Sequence, residues 1–147
     1  VSLPLKKTIN QRVNIARTIF LSNHSDLLKR RASERAITHK FAEALQIVFP
    51  DGHVDCEYNR DADIPKRISL PENAAKTVYP DVVVHHRGTA ENLLIIEAKL
   101  SDAPQTEIDY DLRKLEAYMS GHLRYRFGLF ATFEVGGNPA ITYQWQK

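Results

Sequence analysis

At 147 residues, with 43% apolar and 26% charged side chains, the chain has the length and composition of one ordinary globular domain with a real core. Its one cysteine, Cys56, excludes an intramolecular disulfide and fits a reducing compartment; no 18-residue apolar run offers a membrane span, and the opening VSLPLKKTINQ lacks the apolar block of a secretory signal, so a cytoplasmic protein is expected. The net charge of +2 is unevenly spread: residues 1–50 hold nine Lys/Arg against three Asp/Glu, and the remainder eleven against fifteen.

A basic half beside an acidic one suits a polyanion on one surface and a cation in another place, although a solvated basic helix face gives the same count. Thr8 to Leu21 predicts an amphipathic helix, with Ile9, Val13, Ala16 and Phe20 on one face. Ser22 to Ser25 breaks it, and Ser25 or Asp26 can cap a following helix. Lys29, Arg30 and Arg31 come next, either a phosphate-contacting cluster or an exposed helix face.

Ser33 to Phe49 is the strongest helical pattern, with Ile37, Phe41, Ala44, Leu45 and Val48 as its apolar stripe. Glu34 falls on the stripe side, one turn before Ile37, and is expected to face the sheet; the plain alternative is a first-turn acid favoured by the helix dipole. Pro50-Asp51-Gly52 turns the chain into a strand over His53 to Tyr58. There Val54, Cys56 and Tyr58 are expected inward, Cys56 as a packed core residue, while Asp55 and Glu57 either extend an acidic site or, as the plainer reading, line a solvent-facing edge. Asn59 to Val78 is a long connection carrying Arg60, Lys66 and Arg67, suited to lying over nucleic acid or to a dimer contact.

Tyr79 to Leu100, YPDVVVHHRGTAENLLIIEAKL, predicts a hairpin: apolar β-branched runs at 82–84 and 93–96 flank a polar, Gly-containing middle. Folding it near Thr89 or Ala90 sets Asp81 opposite Glu97 or Lys99, and facing residues of an antiparallel pair project to one side. Two carboxylates and an ammonium then converge where a sheet face should be apolar, a costly grouping unless partnered. Such carboxylates are natural ligands of a hard divalent cation.

Ser101 to Gln105 reads as a loop and Thr106 to Ser120 as a second amphipathic helix, with Ile108, Leu112, Leu115 and Met119 inward. Lys114 and Tyr118 share a face of it; Lys114 can reach a phosphate or stand as an exposed surface lysine. Gly121 ends the helix. Tyr125 to Phe133 alternates as a strand with one apolar face, and after Gly136-Gly137-Asn138-Pro139 a closing strand runs from Ile141 to Trp145. His85 and His86 make no zinc pattern, and no phosphate-cradling Gly-rich loop is present. A parallel pairing is possible only across the second amphipathic helix.

Pro80-Asp81 opening one strand and Glu97-Ala98-Lys99 closing its partner, with Glu34 upstream, resemble the signature of the PD-(D/E)XK nuclease superfamily over roughly residues 33–133. The resemblance implies an α/β fold, a mixed central sheet flanked by helices in a restriction-endonuclease-like αβββαβ core. One domain is then expected, with a basic helical extension at 1–32, the core at 33–133 and a C-terminal strand at 134–147. It implies a metal-dependent nuclease, with DNA the favoured substrate. Asp81 and Glu97 would bind Mg²⁺, or Mn²⁺ in its place, helped by Glu34 and the Ala98 carbonyl, while Lys99 positions water or stabilises phosphoryl charge. Exonuclease-like branches carry Gln-x-x-x-Tyr where this chain has Lys114 and Tyr118. Homodimers are frequent in the superfamily. A catalytically silent nucleic-acid-binding or assembly module of the same fold is the alternative, and a buried structural salt bridge the third reading.

Overall fold

The computed structural model describes the backbone of residues 3–58, 60–61, 64–65, 67–70, 73–77 and 79–146, and the side chains of 5–58 and 79–146. In chain order the elements are α1 (Leu3–Lys29), α2 (Glu34–Val48), β1 (His53–Cys56), β2 (Arg60–Asp61), β3 (Ile64–Pro65), β4 (Arg67–Leu70), β5 (Asn73–Thr77), β6 (Val82–His85), β7 (Asn92–Leu100), α3 (Gln105–Ser120), β8 (Phe127–Glu134) and β9 (Ala140–Gln146). Five strands form one sheet in the order β1-β6-β7-β8-β9. Every neighbouring pair is antiparallel except β7 and β8, which run parallel across α3, the one connection expected to permit it.

Alternation along β6 and β7 divides the molecule into layers. Val82, Val84, Leu94, Ile96, Ala98 and Leu100 face α1 and α2. Val83 and Ile95 face the opposite way, towards Leu115 and Tyr118 of α3. The fold is therefore α/β, an open mixed sheet between helices. β8 was expected to have one apolar face. It is buried on both faces from Phe127 to Ala131, because it lies inside the sheet between β7 and β9.

The break expected between two N-terminal helices is present: α1 is two helical segments that meet at a kink. The break at Ser22 to Ser25 survives as a kink, with His24 at φ −134° and ψ 19°. Asn23 and Ser25 turn their side chains back onto the carbonyls of Ile19 and Leu21, which competes with the helical ladder and bends it. Beyond the kink, Leu28 is buried in the core. This helix is built into the core. Phe20 packs on Phe41 of α2 and Phe133 of β8, with ring centroids 6.3 and 5.7 Å away, and Tyr143 of β9 donates to the Val13 carbonyl at 2.8 Å.

α2 begins where the sequence says it should: the Ser33 hydroxyl accepts from the Ala36 N–H at 3.2 Å. α3 ends at Gly121, whose φ of −85° is not left-handed. A Cβ there would stand 2.8 Å from the Ala117 carbonyl oxygen, so close backbone approach, and not positive φ, calls for glycine. The connection after β1 is more structured than expected. It contains two small antiparallel pairs, β2 with β3 and β4 with β5, and β4 lies beside α3. Among the described residues no helix is long and apolar enough to cross a membrane.

If α1 belongs to the core, Phe20→Ala should destabilise the whole domain by about 3–5 kcal/mol, as buried Phe truncations do. Urea unfolding followed by far-UV circular dichroism and by Trp145 fluorescence should then shift together in one transition. A variant that loses helix signal early, with the fluorescence transition unmoved, would show α1 to be a detachable arm.

Candidate metal centre

The register Val82↔Ile96 continues by one residue to place Asp81 beside Glu97, the first of the two pairings expected. The two strands are unequal, and a register shift between Val84 and His85 absorbs the difference. Gly88 at φ +73° and the Thr89 hydroxyl, which donates to the His86 carbonyl at 2.7 Å, close the turn. Period-two alternation then puts Glu97 and Lys99 on the face of Ile95, beneath α3. Asp81 is tied to the same place by its Oδ2, which accepts the Ala98 N–H at 2.8 Å. Ala98 thus enters the site through its backbone.

α3 supplies two more charged groups. Asp111, Leu115 and Tyr118 are its buried residues, whereas Ile108, Leu112 and Met119, three of the four residues expected inward, are only half-buried. The helix is rotated from the purely apolar reading so that Asp111 looks into the sheet. One ligand oxygen each from Asp81, Glu97 and Asp111 lies within 4.8 Å of the others. Asp111 was not anticipated. Its signal was its i, i+4 and i, i+7 spacing to Leu115 and Tyr118, together with Lys114 three residues on.

Two lysines interleave these acids. Lys99 Nζ lies 3.1 Å from Asp111 Oδ2 and 3.6 Å from Glu34 Oε1. Lys114 Nζ lies 3.3 Å from Glu97 Oε1 and 3.8 Å from Asp111 Oδ1. With only 12% of its side chain exposed, Lys114 is not the surface lysine that was the plainer expectation. Glu34 comes from the first turn of α2, as expected, but meets Lys99 at the mouth of the site and not the group formed by Asp81, Glu97 and Asp111.

The electrostatics are those of an under-compensated cluster. Glu97 has no exposed surface. Burial first, then the neighbouring Asp81, push its pKa well above the usual carboxylate range against the pull of Lys114. Asp111 is raised by burial, with Lys114 and Lys99 opposing, and Glu34 is raised mainly by burial. Burial disfavours the charged form of Lys99, yet Asp111 and Glu34 outweigh it and hold its pKa above the ordinary value. Lys114 is raised likewise, with Glu97 the largest favourable influence. Both oxygens of Glu97, Oδ2 of Asp111 and the Tyr118 hydroxyl are buried without a hydrogen bond; the close lysines contact the carboxylates as ion pairs without hydrogen-bond geometry. Buried, unsatisfied oxygens of Glu97 and Asp111, with an Asp81 oxygen close by, match what a hard divalent cation requires.

Two clefts meet at Glu34. One, of about 440 Å³, runs between α2 and β1 with Arg35, His39 and Cys56 on its walls and Asp81 at its inner end. The other, of about 310 Å³, is bounded by Arg31, Asp102 and Glu107. Lys29 and Arg30 are exposed nearby in sequence, while Arg31 is engaged by Asp102 at 2.5 Å. Lys66 lies outside the described residues, and Arg67 opens β4 with its side chain outside them. Cys56 is exposed and not a packed core residue, because β1 is an edge strand. Burial of its sulfur and nearby Asp81 raise its pKa to about 11, which keeps it a thiol. Asp55, expected at a solvent-facing edge, is largely covered. It accepts from Arg87 and pairs with the buried His85 at 2.8 Å, and these partners hold its pKa down against burial.

The raised carboxyl pKa values fix a sign for stability. A carboxyl group whose pKa is higher folded than unfolded favours the folded state below the unfolded value, near 4.5 for Glu97, and loses that contribution as pH rises through the folded value. Without divalent cation, unfolding free energy should therefore fall as pH rises above the ordinary carboxyl range. Glu97→Gln should flatten the slope and raise stability at the alkaline end. Chemical denaturation in chelator from that range upward checks it, and a slope unchanged by the substitution would count against a strained Glu97.

No family model, no curated protein and no solved structure matches this chain.

Proposed function

We propose that this protein is a metal-dependent nuclease of the PD-(D/E)XK type, acting on phosphodiester bonds and most readily on DNA. The observation that carries the reading is the convergence of Asp81, Glu97 and Lys99 from two paired strands beneath α3, with buried carboxylate oxygens left unsatisfied. The succession α2, β1, β6, β7, α3, β8 supports a restriction-endonuclease-like core, with α1 and β9 added to it.

In this reading Asp81, Glu97 and Asp111 hold Mg²⁺ or Mn²⁺, with the Ala98 carbonyl as a further candidate ligand. A bound cation of this kind supplies Lewis-acid stabilisation of phosphoryl charge and a more acidic water. Lys99 remains an ammonium at neutral pH, because Asp111 and Glu34 favour its charged form. It therefore acts as a fixed positive charge for the developing phosphorane and not as a general base. Glu34 and Asp111 hold that ammonium in place from two sides. Arg35 and His39 are exposed on the wall of the cleft that reaches Asp81, Lys29 and Arg30 are exposed at the end of α1, and all four suit contacts with phosphates that carry no sequence information.

The binding-module reading draws support from Lys99 and Lys114, which already compensate part of the acidic charge. Cleavage separates the two. Asp81→Ala and Lys99→Ala should each lower Mg²⁺- or Mn²⁺-dependent cleavage of plasmid, linear, single-stranded or branched DNA by about 100-fold or more. Asp81→Ala should leave metal-free DNA affinity unchanged or tighter, since it removes a negative charge. A wild type that binds DNA and cleaves none of these substrates would hand the fold to the binding module.

Metal and phosphate contacts should also separate from one another. Millimolar Mn²⁺ should raise the melting temperature of the wild type by mass action and that of Asp111→Asn much less. Removing Lys29 and Arg30 together should leave this shift intact while making the salt dependence of DNA affinity shallower. A Mn²⁺ shift equal in wild type and Asp111→Asn would remove Asp111 from the ligand set.

A further inference from the structure

Among the ion pairs of the centre, the two lysines stand differently. Lys99 lies on the Glu34 side, bridging Asp111 Oδ2 and Glu34 at the mouth. Lys114 comes from α3 and places its ammonium between Glu97 Oε1 and Asp111 Oδ1, at 3.3 and 3.8 Å, within the group of carboxylates that would be ligands. A Mg²⁺ or Mn²⁺ ion needs carboxylate oxygens at about 2.0–2.1 Å and a near-octahedral shell. An ammonium already seated between two of the three carboxylates occupies part of that shell and repels the incoming charge.

Lys114 also has somewhere else to go. Its stem is four flexible carbons, and while paired with Glu97 its Nζ already lies 5.7 Å from the ring of Tyr110, one turn back on the same helix, a contact that it can keep when it leaves Glu97. Lys99, by contrast, bridges two helices, its ammonium held between Glu34 of α2 and Asp111 of α3. Resting on the metal-centre reading above, we propose that Lys114 is the resident counter-ion of the acidic centre, which a divalent cation displaces from Glu97. The ammonium keeps the carboxylates tolerable in the metal-free protein and makes metal entry an exchange of one cation for another. It lowers the centre's apparent affinity for the cation.

The test is calorimetric titration of Mn²⁺ into wild type, Lys114→Met, Lys114→Gln and Lys114→Arg at low ionic strength and one pH. Removing the competing charge should tighten Mn²⁺ binding about ten-fold in the Met and Gln variants, since a unit charge and a divalent ion about 4 Å apart repel appreciably even at high effective dielectric. Lys114→Arg keeps the charge and should bind no tighter than wild type. The Gln variant preserves polarity at the helix surface and carries the test if the Met variant does not fold. Met and Gln variants that bind Mn²⁺ as wild type does, or more weakly, overturn the counter-ion role while leaving the metal centre standing. Absence of Mn²⁺ binding in wild type and every variant overturns the centre and this role together.

Discussion

Burial of the Glu97 carboxylate between β7 and α3 is the constraint to which the rest of the site answers. β7 is a central strand, so its side chains are covered on both faces, and the face that carries Ile95 also carries Glu97 and Lys99. An ionised carboxylate in that position demands a partner. α3 meets the demand only in part, with Lys114 against one oxygen, and brings Asp111, a second buried acid, into the same space. The rotation of α3, the tethering of Asp81 to the Ala98 N–H and the reach of Lys99 towards Glu34 can all be read as consequences of accommodating this group.

The layers above and below are arranged to keep that placement rigid. Phe20, Phe41 and Phe133 interlock α1, α2 and β8 on the far face, with Phe41 and Phe133 at 5.4 Å and close to perpendicular. The N-terminus of α2, fixed by its Ser33 cap, then delivers Glu34 to the mouth. On the outer edge the Asp55 pair with His85 and Arg87 ties β1 to β6 and keeps the hairpin's first strand in register. A slip of one residue there would send Asp81 to the opposite face from Glu97.

What could be read from the sequence was whatever obeys a local period. The hairpin, the strong α2 stripe, the parallel pairing across α3 and the meeting of Asp81, Glu97 and Lys99 all follow from alternation or helical spacing over short stretches. What could not be read depended on tertiary compensation. Asp111 and Lys114 look like solvent residues until Glu97 is known to lie under the helix. The purely apolar stripe then loses to one that includes an acid. Cys56 looked inward by alternation, but alternation cannot tell an edge strand from a central one. The Ser22–Ser25 break was legible because it rests on local hydrogen-bonding propensity, and it stands as the kink at His24.

The charge count bears on whether the cluster can be there for stability alone. Glu34, Asp81, Glu97 and Asp111 face Lys99 and Lys114, four acids against two bases in one connected group. Buried ion pairs seldom stabilise a fold relative to apolar side chains of similar size, and a buried cluster with surplus negative charge stabilises it still less. Protonation can remove part of the surplus, as the raised Glu97 value indicates. A proton, however, satisfies one oxygen and neutralises one charge, while Glu97 and Asp111 together leave three buried oxygens without hydrogen bonds. A single divalent cation carries two positive charges and can address oxygens from Asp81, Glu97 and Asp111 at once. That correspondence between the deficit and the ligand connects the folding cost of Glu97 with the chemistry proposed for it.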